Sequence, residues 1–389
     1  MEKHKIYNTI FYSLIIVIFC VMYYFMSQKE GFHEDEMFSY GSSNYRYDNV
    51  FQPYGDKDYI NSIIDEEIFN NENIINNIIY YLKNPNIFMK KLEEKQSNEK
   101  PIWKTKQEAI EYVTIQPNDI LSLFSIYYNQ SRDAHPPLFY FIVHIVSIFF
   151  LDNFSKYIIF IINISLFIGS IIIIRKIFKL LNREILALPT TILYGLSIGA
   201  VSTVIFQRMY MLLTFFIIYY TYINLYINDF YIDKRTKMKL IITVILGFLS
   251  QYYFCIYALF MFVIMQIIML VRNKKKNCKI LLLSYIKSAC IGVLLFPASI
   301  YHIFFSYRGI SNISNQYDIS DFFNILCEAY SCNIILGFLI VSIIIIVSAN
   351  MLKIKKDYFL PILLFSITGY IIVVSKISPY LDSRYIMGI

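Results

Sequence analysis

Three acidic residues in succession, Glu34, Asp35 and Glu36, stand in GFHEDEMFSYG (31–41), a few residues after a long apolar run. A carboxylate beside an anion-binding pocket can take the proton of an attacking hydroxyl while the pocket stabilises a phosphate leaving group. Asp35 and Glu36 are the candidates for that role; a solvated acidic patch beside a membrane is the plain alternative. Asp133 and His135 lie in SRDAHPP (131–137), where two prolines open an apolar helix and Pro136 suits the first helical position. The pair therefore sits at a helix N-terminus, a place that attracts phosphate oxygens, although an Asp cap on an ordinary helix start would look the same.

Two arginines complete the set. Arg208 in FQRMY (206–210) and Arg384 in SPYLDSRY (378–385) each lie at the end of an apolar run. The loop basicity described below places both on the external side, where Lys and Arg are under-represented. A guanidinium held there against the bias calls for an anionic partner, and its fork suits phosphate; snorkelling to lipid headgroups is the competing explanation. Gln251 and Tyr252 in SQYY (250–253) could line the same cavity, or belong to an interfacial aromatic belt.

The elements that must position these residues are membrane helices. Of the 389 residues 57% are hydrophobic and 16% charged, with Ile, Phe and Tyr in long unbroken runs, so the fold class is an all-α polytopic membrane protein. The net charge of +7 comes from short Lys/Arg clusters between apolar runs, which read as topology signals and not as a nucleic-acid surface. The six cysteines are scattered and define no disulfide framework or zinc spacing; Cys327 and Cys332 share a loop, as two thiols or as a pair.

Residues 1–27 form a signal-anchor helix, too long for a cleaved signal core and preceded by the basic MEKHK. Residues 28–156 form a long external loop with juxtamembrane amphipathic helices, one through Ile60 to Ile79 and another through Ala109 to Tyr127. Residues 157–389 form the multi-spanning bundle, its apolar runs near 157–174, 187–206, 209–228, 240–256, 257–271, 280–300, 333–352 and 358–375. The loops 175–183, 233–239, 272–279 and 353–356 are strongly basic and should face the cytoplasm. The alternation closes with nine spanning helices if the run at 137–151, shorter than the roughly 20 residues a span needs, is a re-entrant or surface helix. All five polar clusters then fall on the external side.

In this order the clusters resemble the GT-C membrane glycosyltransferases, especially the bacterial relatives of the protein O-mannosyltransferase and aminoarabinose transferase family (glycosyltransferase family 39-like). GFHEDEMFSYG is similar to the acidic motif of that family's first external loop, DAHPPLFYFIVH to its Asp-x-His-Pro-Pro-Leu segment and QRMYMLL to its Ala-Arg-Met-Tyr segment. LSQYYFCIYAL resembles its Thr-His-Tyr-Tyr segment, with Gln251 in place of the His, and SRY its distal Arg-Tyr. The resemblance implies a GT-C type helical bundle in a bacterial plasma membrane, with an active site on the extracytoplasmic side. It implies a polyprenyl-phosphate-linked sugar as donor, and as acceptor a hydroxyl of a cell-envelope lipid, glycan or protein. It carries the catalytic base onto Asp35 with Glu36 beside it, and donor-phosphate binding onto Arg208, Tyr210, Arg384 and Tyr385. Asp133, His135, Gln251 and Tyr252 fall in the substrate or metal vicinity. Metal dependence varies in the family, and Asp133 and His135 are the candidate ligands for a divalent ion. Family members continue past the Arg-Tyr motif into further helices, so the resemblance also raises the expectation of a fragment. The rival from another class is a transporter or lipid flippase, which needs charges near the bilayer midplane.

Overall fold

The computed structural model describes residues 2–46, 74–84, 87, 90, 91, 105–227, 231–304 and 359–377. Among these there is no β-strand. Helices α1 (Glu2–Ser27), α2 (Glu34–Asn44), α3 (Ile74–Lys83), α4 (Lys106–Val113), α5 (Leu123–Arg132) and α6 (Leu138–Ser147) make up the first part. They are followed by α7 (Tyr157–Leu180), α8 (Ala187–Gly195), α9 (Ile198–Ile205), α10 (Tyr210–Leu225), α11 (Lys234–Ser250), α12 (Tyr253–Val271), α13 (Lys275–Leu295), α14 (Ala298–Phe304) and α15 (Phe359–Ile377). Four of them, α1, α7, α12 and α13, are long and apolar enough to cross a membrane, and residues 184–205 would make a fifth span as a bent pair.

The helices alternate between two ends. At one end Tyr7 donates its hydroxyl to the Glu184 carbonyl at 2.5 Å, and Arg175 pairs with the Glu184 carboxylate at 2.6 Å while bonding Asn8. The same guanidinium lies 4.9 Å from the Tyr7 ring centroid and 4.6 Å from that of Phe11. Both α7 and α12 stop there on an asparagine in the left-handed conformation, Asn182 and Asn273. In each case the next N–H reaches back five residues, Arg183 to the Phe178 carbonyl and Lys274 to the Met269 carbonyl, both at 2.8 Å. Left-handed asparagine satisfies the last carbonyls of a helix without a glycine. The basic stretches 175–183, 233–239 and 272–279 all belong to this end.

At the opposite end Lys156, before α7, donates to the carbonyls of Ser27 and Lys29 that follow α1. Helices α11 and α12 meet there at Gln251, and α14 folds back onto the end of α5. Ring contacts Phe260 to Phe365 and Tyr257 to Tyr370 set α15 antiparallel to α12, so its last turn also points to this end.

Several boundaries differ from the sequence expectation. The runs 240–256 and 257–271 divide at Gln251 and not near residue 256, because Gln251 is fully extended (φ −166°, ψ 138°). Close packing enforces the turn: a β-carbon on Gly247 would lie 2.5 Å from the Phe254 ring. The run 187–206 is two helices bent by 65°, with Ser197 capping the second through the Ala200 N–H at 3.1 Å. The run 280–300 ends its helix at Leu295, where Pro297 cannot supply an N–H.

The pattern through Ala109 to Tyr127 is broken into α4, a 3-10 turn at Pro117–Asp119 and α5, with Leu121 left-handed at φ 60°. Helix α6 begins at Leu138, two residues after Pro136; the Pro137 carbonyl accepts the Phe141 N–H and makes Pro137 the cap. At ten residues α6 is about 15 Å long, half the thickness of a hydrocarbon core. The run 333–352, the loop 353–356, Cys327, Cys332 and most of the Ile60–Ile79 helix lie outside the described residues.

The described part of residues 28–156 is more than a loop laid on the surface. Tyr40 of α2 and Phe139, Tyr140 and Val143 of α6 are fully buried in the same apolar cluster as Met209, Leu213 and Ile217. Helix α2 can approach α4 because residue 41 is glycine: a β-carbon there would lie 1.9 Å from the Tyr112 ring. Asn44 secures the contact through the Val113 carbonyl at 2.9 Å, and His144 of α6 bonds the Ser43 carbonyl at 2.8 Å. Helix α2 is thus gripped from two sides, by α4 and by α6.

Candidate active site

The acidic triplet is the first turn of α2. The His33 ring accepts the Asp35 N–H at 3.1 Å, and the Glu36 carboxylate accepts the His33 N–H at 2.7 Å, a reciprocal cap. Carboxylates at a helix N-terminus also complement its dipole. This accounts for part of the acidity without any chemistry, and it separates the three residues. Glu36 is wholly buried, taking in addition the Gln207 N–H at 2.9 Å and the Lys29 ammonium at 2.9 Å. Its oxygens are committed to the His33 and Gln207 N–H groups and the Lys29 ammonium. Asp35 keeps a side chain 36% exposed.

Arg208 lies in the non-helical link between α9 and α10 and is 4% exposed. It does not snorkel. Its guanidinium donates to the Asp35 carbonyl at 3.1 Å and the Ser39 hydroxyl at 3.3 Å, approaches the Asp35 carboxylate at 3.9 Å, and faces His135 Nε2 at 3.4 Å. His135 Nδ1 is 2.7 Å from the Asp133 carboxylate. If Arg208 donates to Nε2, Nδ1 carries the proton and donates to Asp133, giving a directed chain from Arg208 through neutral His135 to Asp133. Asp133 is extended, between the last turn of α5 and the start of α6, and 7% exposed.

A second group adjoins the first. The Tyr252 hydroxyl is 3.0 Å from His302 Nδ1, and His302 Nε2 is 3.0 Å from the Ser131 carbonyl. The carbonyl can only accept, so Nε2 bears hydrogen and Tyr252 donates to Nδ1. Burial lowers the pKa of His302, against the bond to Ser131 and the Asp133 charge that favour protonation. Burial likewise raises the Tyr252 hydroxyl, with Asp133 adding to it, and raises that of Tyr140. Gln251 turns its carbonyl oxygen back to the Tyr252 N–H at 2.8 Å.

The structure therefore brings together Asp35, Asp133, His135 and Arg208, with Tyr210 at the first position of α10 and Tyr252 linked to Ser131 through His302, Gln251 beside it. Arg384 and Tyr385 lie outside the described residues. Sequence reasoning missed His302, Ser39, Lys29 and Gln207. Ser39, one turn beyond Asp35, was readable once α2 was taken as a helix.

A divalent ion does not fit the Asp133 and His135 pair as it stands. One ring nitrogen is spent on Asp133 and the other faces a guanidinium, whose charge would repel a cation. Among the described residues no three His, Cys, Asp or Glu side chains gather to bind one.

The fold and this cluster define an α-helical membrane protein with a charged, largely buried site at one end of its bundle. Comparison with protein-family models, with curated proteins and with solved structures gives no match for this chain.

Proposed function

We propose that the chain is a membrane glycosyltransferase of GT-C type, moving a sugar from a polyprenyl-phosphate-linked donor to a cell-envelope hydroxyl on the extracytoplasmic side of a bacterial plasma membrane. The observation that carries the reading is the pairing of a part-exposed carboxylate, Asp35, with a buried guanidinium, Arg208, 3.9 Å away at one end of the bundle. The acceptor O–H would give its proton to Asp35 as its oxygen attacks the anomeric carbon. The bond from that carbon to the phosphate oxygen breaks on the opposite face, and the polyprenyl phosphate leaves with its charge held by Arg208. The configuration at the anomeric carbon inverts. Asp133 and His135 keep the guanidinium oriented. The three described basic loops at the other end support a cytoplasmic assignment for that end.

The alternative is a transporter or flippase. Among the described spans the only charge near a helix midpoint is Lys287 of α13, with no Asp or Glu at similar depth, whereas the other charged residues lie at the two ends of the bundle, Asp35, Asp133 and Arg208 together at one of them. The distribution favours surface chemistry over a pathway. The test is transfer by membranes containing the protein, given radiolabelled polyprenyl-phosphate sugars with and without envelope acceptors. Label moving to acceptor supports the reading; label crossing the bilayer still attached to its lipid supports the alternative.

A further inference from the structure

Helices α1 and α7 leave between them an apolar groove of about 280 Å³, lined by Phe19, Tyr23, Tyr157, Phe160, Ile161 and Ile164. Three of its rings form a ladder: Phe19 stacks on Tyr23 (6.3 Å, 18°) and Tyr23 on Tyr157 (5.9 Å, 23°). The groove opens on the outer face of the bundle, where Tyr23 and Ile161 are each nearly half exposed. Its volume lies just under the roughly 300–1,000 Å³ of pockets that enclose whole small molecules, so it suits a length of chain.

One end of the groove is charged. Lys156 precedes Tyr157, its ammonium 5.7 Å from that ring's centroid and bonded to the carbonyls of Ser27 and Lys29 at 2.9 and 2.7 Å. Two of its three hydrogens are thereby used, its charge is not neutralised by those carbonyls, and the third hydrogen remains for an acceptor. Lys29 stands beside it, paired with buried Glu36. An apolar slot ending at an ammonium at the helix ends has the pattern of a phospholipid: chain along the slot, phosphate at the interface.

We propose that this groove holds one acyl chain of an anionic phospholipid whose phosphate rests on Lys156, as a bound lipid separate from the site around Arg208. The inference does not depend on the proposed transferase activity.

The full chain, purified in detergent and delipidated, can be titrated with phosphatidylglycerol or phosphatidylcholine of identical chains and read by native mass spectrometry. Phosphatidylglycerol should be retained roughly fivefold more than phosphatidylcholine, the effect of one lysine near an anionic headgroup. Lys156→Gln should bring the ratio close to one, and Lys156→Arg should keep it. Ile161→Trp, on the exposed side of the groove, should reduce retention of both lipids, and it carries the test alone if Lys156→Gln fails to fold. Glycerophosphoglycerol, which lacks acyl chains, should give no adduct. Equal retention of the two lipids, a preference that survives Lys156→Gln, an Ile161→Trp protein that retains both lipids as before, or an adduct with the free headgroup would each overturn the proposal.

Discussion

The Glu36 carboxylate accepts the backbone N–H of Gln207 at 2.9 Å, tying the first turn of α2 to the loop that carries Arg208. The two residues are 171 positions apart in the chain, and the same carboxylate holds Lys29.

Glu36→Gln should therefore act on stability first. It leaves the Lys29 charge without its partner beside a buried site, a loss of about 3 kcal/mol for a broken pair of this kind. Thermal unfolding in detergent reads the loss, while the specific turnover of the folded fraction changes little. A variant as stable as the parent but without turnover would assign Glu36 a part in the chemistry.

Asp35→Asn should do the reverse. The side chain is part exposed and makes no buried bond that the amide cannot replace, so the fold should persist while turnover falls by roughly 10² to 10⁴, the usual contribution of a general base. Donor binding should survive. Native turnover in Asp35→Asn, with loss in Asp133→Asn, would move the base to Asp133.

Arg208→Gln removes charge-assisted bonds at the point where the proposed donor phosphate would rest, bonds worth about 1.5–3 kcal/mol each. The Michaelis constant for lipid-linked donor should rise roughly 10- to 100-fold and that for acceptor should barely change. Equal small effects on both constants would separate Arg208 from the phosphate.

Acidification should weaken the fold through His302 and His144, whose pKa values burial lowers from the ordinary 6.5. Below 6.5 and above the lowered folded value, the unfolded chain binds more protons than the folded one, so stability is lost as the pH is lowered through that window. Above pH 6.5 the contribution is fully present. Unfolding midpoints taken from about pH 7.5 to 5.5 should drop, and His302→Asn should flatten part of that slope; an unchanged slope would show that His302 titrates as it does in the unfolded chain.

In a cysteine-free background, Lys275→Cys should react with an impermeant thiol reagent only after cells are opened, and Arg132→Cys should react in intact cells. The opposite result would invert the bundle and remove the site from the external face.

The positions of Asp35, Asp133, His135 and Arg208 could be read from the sequence because each is an ionisable residue at the edge of an apolar run. Asp35, Asp133, His135 and Arg208 stand out against their neighbours on composition alone, and the fold returns them within a few ångströms of one another. Glu36 and Asp35 were indistinguishable at that level. Only the cap geometry, with the third residue of the helix turned back onto His33, buries one and leaves the other part exposed. The division between α11 and α12 was misplaced because an extended Gln251 interrupts two apolar stretches without a Pro or Gly at the break. His302 was hidden for a similar reason: one histidine in FPASIYHIFF carries no spacing signal, and its partners, Tyr252 and Ser131, are supplied by other helices.

The clasp between Tyr7, Asn8, Arg175 and Glu184 has a bearing on how the protein is made. Tyr7 and Glu184 are separated by 177 residues, so the amino-terminal helix leaves the ribosome long before its anchor exists. At synthesis rates of roughly 5–20 residues per second, α1 waits on the order of ten seconds or more in the lipid with that end unlatched. The first helix is therefore inserted early and docked late. A nascent chain arrested before residue 175 would carry α1 as a lone membrane anchor, whereas one arrested well beyond residue 184 could already have closed the clasp.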